Sequence, residues 1–209
     1  MGREADRGRA EALEAGGRPI LTSVLSGREA LGAEMLRWEI ATAAACSVLN
    51  VNPFDQPDVE SAKRRAREAL ERTGEGAAAR QVDPDPDAIA ALVREWLPPT
   101  PEGKYVALQA FLDPAPGRQA LLDGTRKVLG QAGWTTTAGF GPRYLHSTGQ
   151  LHKGGPEGGW FVQLTDRPVD LEIPDGGGSF ARLIAAQAAG DAEALEESGR
   201  SVLRLELAS

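Results

Sequence analysis

Residues 105–139, YVALQAFLDPAPGRQALLDGTRKVLGQAGWTTTAG, decide the fold. YVALQAFL (105–112) is a nearly unbroken apolar run of strand length, 115–132 reads as a helix, and WTTTAG (134–139) reads as a second, β-branched strand. Working outward, a helix is expected from about Pro86 to Trp96, stopped by Pro98-Pro99. GWFVQLT (159–165) and VDLEI (169–173) look like strands, FARLIAAQAAGDAEALEESG like one or two helices, and SVLRLEL (201–207) like a terminal strand. Strands alternating with helices predict a three-layer α/β/α domain with a mainly parallel sheet of about five strands.

The N-terminal part reads differently. Residues 2–16 are charged and Ala-rich, a helix capped by Gly16 and Gly17, so that 1–17 form a helical extension and 18–209 the main domain. RPILTSVL (18–25) predicts a short buried strand, and 26–49 a long helix with Leu31, Met35, Trp38, Ala41, Ala45 and Val48 on one stripe. Asn50 suits the left-handed conformation that ends such a helix. Asp58 is expected to cap another helix to about Arg72, followed by a Gly-, Pro- and Asp-rich linker near 73–87.

Composition narrows the function. The 209 residues are 41% hydrophobic and 25% charged, as expected of a soluble globular chain. A formal charge of −7 argues against a general nucleic-acid binder. The single cysteine, Cys46, excludes an internal disulfide, and no signal peptide or membrane-length apolar run is present, so a cytoplasmic location is expected. KRRAR (63–67), followed at once by EALER, reads as a solvated helix face.

Both histidines, His146 and His152, fall in RYLHSTGQLHKGG (143–155). Six positions apart, they have the wrong spacing for two metal ligands on one helix, and no cysteine pair or carboxylate cluster completes a set; no metal and no cofactor is expected. Ser147 lacks a nucleophile elbow. Ser147, Thr148 and Gln150 offer two hydroxyls and an amide suited to a polyol, and Lys153 puts a cation beside Gly-rich backbone that suits an anion such as phosphate. The bland alternative is a satisfied loop histidine in a turning chain.

Two motifs together point further. NPFDQPDVESAK (52–63) resembles the signature of glucose-6-phosphate isomerases that carries an active-site glutamine and lysine, and LHSTGQ (145–150) resembles the segment with their ring-opening histidine. The matching positions are Gln56, Lys63 and His146. With the NPFDQP motif ahead of the LHSTGQ motif and LRWEIATA (36–43) upstream, the order is similar to the isomerase half of fused transaldolase/glucose-6-phosphate isomerase proteins, from about residue 18 to the end. The resemblance implies a sugar-isomerase-type domain. It implies catalytic roles for His146 and Lys63, and substrate contacts for Gln56.

Aldose–ketose isomerisation opens the ring, then moves a proton between C1 and C2. An unperturbed histidine, with a pKa of about 6.5, can exchange protons at neutral pH, and a lysine ammonium can steady developing negative charge. The family's catalytic glutamate and Ser/Thr-rich phosphate loop match no segment of this chain. The resemblance therefore implies a partial isomerase, working with upstream isomerase or transaldolase segments or a second copy. The alternative is a non-catalytic sugar-phosphate-binding or assembly module.

Overall fold

The structure, a computed structural model, describes residues 2–54, 79–99, 103–167, 170–174 and 178–208. Contacts divide the chain into two compact units, Met1–Asp55 and Gln56–Ser209. In the first, α1 spans Gly2–Ala15 and α2 Arg28–Leu49. Asn50 ends α2 with φ 54 and ψ 43, and its N–H closes onto Ser47 O at 3.3 Å, a left-handed cap that Asn adopts more readily than other side-chain-bearing residues. The expected strand at 18–25 does not form. A strand needs a neighbour for its backbone groups, and this stretch pairs with none among the described residues; Leu21 and Val24 are 82% and 89% exposed. The stripe on α2 is helical as expected, but no residue of α2 is buried.

The second unit is an α/β/α sandwich. Its elements are β1 (Arg80–Val82), α3 (Pro86–Trp96), β2 (Tyr105–Phe111), α4 (Pro116–Gln131), β3 (Thr135–Phe140), a 3-10 turn (Arg143–His146), α5 (Gly149–Gly154), β4 (Gly159–Thr165), α6 (Phe180–Glu197) and β5 (Ser201–Leu207). The five strands are all parallel, in the order β1-β5-β4-β2-β3. The strand β1 lies inside the stretch read as a linker: three residues are too few to reveal alternation, and only the ladder to β5 defines them. VDLEI yields no ladder strand. The bridge Glu172–Ser179 is isolated, and Val169 lies outside the described residues.

Alternation along the central strands sorts the two faces. Val106, Leu108 and Ala110 of β2, with Val162 and Leu164 of β4, pack with Ile89 and Val93 of α3 and Leu121, Leu122 and Leu129 of α4. The opposite face carries Ala107, Phe161 and Leu195 in one cluster and Phe111, Tyr144 and Ala188 in another. This second face also holds Gln109 and Gln163, which stand side by side in register. Buried strands on both faces explain why β2 and β4 read as almost continuous apolar runs.

Local chemistry sets the helix starts. Asp85 caps α3 by accepting from Ala88 N at 2.8 Å, with Pro86 in the first turn. Asp85→Ala should therefore lower the unfolding free energy by about 1 kcal/mol, read as a shifted urea midpoint with an unchanged slope. An unmoved midpoint would mean that Pro86 and packing alone hold the helix start.

Candidate functional site

The topology itself marks a place for a site. From β2 the chain crosses through α4 to β3 on one side; from β4 it crosses through α6 to β5 on the other. Connections that leave neighbouring strands in opposite directions open a crevice at the strands' carboxyl ends, where ligands bind in open α/β sheets. A cleft of about 450 Å³ lies at that end. Phe111–Pro114 at the end of β2, Phe140–Arg143 at the end of β3, Asp166 after β4, and Ile184 of α6 line it, together with His146. The size suits a small polar metabolite.

Most of the lining is apolar, which sets off four polar side chains: Asp113, Arg143, His146 and Asp166. Arg118, in the first turn of α4, donates from Nη2 to Asp166 Oδ2 at 2.9 Å. Burial pushes the Asp166 carboxyl above the usual carboxylate range; Arg118 pulls against this, and the negative charge of Asp113 adds to it. A Cβ on Gly141 would stand 2.6 Å from the Phe111 ring, so any side chain there would push aside a ring that lines the cleft.

The expected histidine loop is instead two short helical turns. Arg143–His146 is a 3-10 turn, and Gly149–Gly154 is α5. Beneath them lies a buried polar cluster. Tyr144 donates its hydroxyl to Asp191 Oδ2 at 2.5 Å, and the Lys153 ammonium donates to Asp191 Oδ1. His152 meets Gln109 Nε2 through Nδ1 at 3.2 Å and stacks obliquely on Phe161. Burial depresses the His152 pKa from 6.5 to about 4; Asp191 opposes the shift and Lys153 adds to it. A neutral Nδ1 accepting from the Gln109 amide fits that direction. Burial, with the Asp191 carboxylate second, holds the Tyr144 hydroxyl well above its ordinary value.

The candidate residues thus separate. His146 is exposed on the cleft. Ser147 turns its hydroxyl back onto Tyr144 O at 3.2 Å. Thr148 precedes α5 and is exposed, and Gln150 is half-buried in its first turn. Lys153, expected to contact an anion, is corrected: its side chain is 7% exposed and its charge is paired with Asp191 inside the protein. Gln56, Lys63 and the helix expected from Asp58 lie outside the described residues.

No family model and no curated protein matches the sequence. Among solved structures the chain is similar to the crystal structure of a hypothetical protein from Thermus thermophilus, at 18% identity and a TM-score of 0.45, over 72% of this chain and 39% of that one. The chain therefore spans about two-fifths of that protein's length.

Sequence reasoning missed Asp113, Arg118, Arg143 and Asp166. Asp113 stands two residues after β2 and Asp166 directly after β4, so a carboxylate just past an apolar strand was the available signal. Among the described residues, no group of three or more His, Cys, Asp or Glu side chains could hold a metal ion. No described helix is long and apolar enough to cross a membrane.

Proposed function

We propose that this chain is a cytoplasmic C-terminal part of a glucose-6-phosphate isomerase of the transaldolase-fused type, and that the cleft holds the hexose phosphate whose ring His146 opens. The observation that carries this reading is the position of His146. The histidine that the LHSTGQ resemblance singles out is exposed on a cleft at the carboxyl ends of β2, β3 and β4, whereas the other histidine is buried beneath it. Protonated, His146 donates to the ring oxygen as the C1–O5 bond breaks. Lys63, by resemblance, steadies the developing charge, and Gln56 orients a hydroxyl or the phosphate. The carboxylate that moves the proton between C1 and C2 comes, on this reading, from an upstream isomerase segment.

The test is conversion of fructose 6-phosphate to glucose 6-phosphate by the purified chain, alone and mixed with an upstream isomerase fragment. Activity is expected only in the mixture, and His146→Ala should lower it by about 10²–10⁴-fold. Undiminished activity in that variant would sink the role of His146. Binding of fructose 6-phosphate without turnover in either sample would leave a non-catalytic sugar-phosphate module.

A further inference from the structure

We propose that Asp166, held in place by Arg118, is the base that takes the proton of the anomeric hydroxyl during ring opening in this cleft, an assignment that rests on the function proposed above. Opening a pyranose needs two groups at once, an acid on the ring oxygen and a base on the hydroxyl at C1. His146 answers for the first. The second must be a carboxylate or similar group on the same cleft, fixed in position and able to exchange a proton near neutrality.

Asp166 meets those requirements by its place. It is the first residue after the central strand β4, across the switch point from Phe111–Pro114, and it lines the same cleft as His146. Its side chain is 16% exposed, and Arg118 grips Oδ2 at 2.9 Å from the first turn of α4, so the carboxylate does not wander. Asp113 is the competing candidate. It is exposed and makes no ion pair among the described residues, and so lacks a fixed geometry. Burial, with the Asp113 charge adding to it, raises the Asp166 pKa against the pull of Arg118, so this carboxylate is a stronger base than a solvated one.

The step balances within the chain and the substrate. The Asp166 carboxylate removes the proton from O1, and the O–H electrons form the C1=O1 double bond. The C1–O5 bond breaks as that double bond forms, its electron pair goes to O5, and O5 takes its proton from the His146 imidazolium. Reclosure onto either face of the aldehyde reverses each transfer, so the pair should interconvert the α and β anomers of glucose 6-phosphate. Proton transfer between C1 and C2 is not needed for this, and neither is the upstream glutamate.

The experiment uses the full chain and glucose 6-phosphate. Anomer exchange above the buffer rate is read by two-dimensional exchange NMR, and binding is read separately by calorimetry. The wild-type chain should bind glucose 6-phosphate and show excess exchange. Asp166→Asn keeps an oxygen for the Arg118 hydrogen bond but accepts no proton, so it should bind within about threefold of wild type and lose about 10²-fold or more of the excess rate. A residue that merely tied α4 to the end of β4 would leave that rate intact. Excess exchange in Asp166→Asn equal to wild type, with binding retained, would overturn the assignment and leave the role of His146 standing. Binding with no excess exchange in the wild-type chain would overturn it equally. Absence of binding by the wild-type chain would remove the function proposed above, and this base with it.

Discussion

Replacing Asp191 by Ala should lower the unfolding free energy by about 3–5 kcal/mol, a large share of the roughly 5–15 kcal/mol that holds a domain together. The carboxylate is 1% exposed, and both its oxygens are engaged, one by the Lys153 ammonium and the other by the Tyr144 hydroxyl. Truncation leaves a buried ammonium without a counter-charge and a buried hydroxyl without an acceptor. Both groups are buried in the fold, Tyr144 at 5% exposure and the Lys153 side chain at 7%. The loss comes from the stranded partners, not from a large net benefit of the pair. Lys153→Met and Asp191→Leu combined with Tyr144→Phe, which removes all three polar partners at once, should accordingly restore most of the stability. Urea unfolding of the three proteins separates these cases. A single-variant loss below about 1 kcal/mol would mean that water enters and solvates Lys153, and that the cluster is not sealed.

The same cluster bears on the candidate site. Tyr144 and Lys153 bracket His146 in the chain, and both are fastened to one carboxylate on α6. The Tyr144 ring also meets the Phe111 ring edge-on at 5.7 Å, and Phe111 lines the cleft. The exposed histidine thus ends one short turn and precedes another, both too small to be stable alone and both tied to the buried Asp191. On the function proposed above, an Asp191→Ala chain that still folds should lose its sugar-phosphate chemistry before it loses its sheet.

How much of this was legible depended on how each residue is buried. The strands β2, β4 and β5 were readable because core strands of five or more residues carry their own apolar pattern; β1, with three residues, takes its identity from its neighbour β5. The stretch 18–25 has strand-like side chains but no ladder, and composition does not encode pairing. Within the site, His146 was visible through a motif, whereas Asp166 needed the knowledge that β2 and β4 are neighbours, which their separation by β3 in the chain conceals. Lys153 misled for a general reason. A lysine beside glycines reads as a surface cation, and only the position of Asp191, 38 residues away on α6, reveals that its charge is neutralised inside.

Acid should weaken the fold through His152. The ring titrates at about 4 in the folded chain against 6.5 for an unperturbed histidine, so between those values the unfolded state binds the extra proton and stability rises with pH. The contribution is fully present above pH 6.5 and is lost as pH falls through about 4. The total is about 3 kcal/mol, since each pH unit between the two values contributes about 1.4 kcal/mol. The cause is placement: the imidazole is 6% exposed between Tyr144 and Phe161, with Gln109 as its polar neighbour, and charging it there means protonating Nδ1 against an amide N–H. His152→Gln keeps a side-chain amide near Gln109 and removes the titration. It should flatten the stability profile between pH 7 and pH 4 relative to the wild-type chain, whatever its cost at pH 7. Because the chain has two histidines, the ring signal left in His146→Ala reports His152 alone, and it should stay at its neutral position until the pH approaches 4. A midpoint near 6.5 for that signal would show that the ring reaches solvent, and would undo the burial argument for the whole cluster under the cleft.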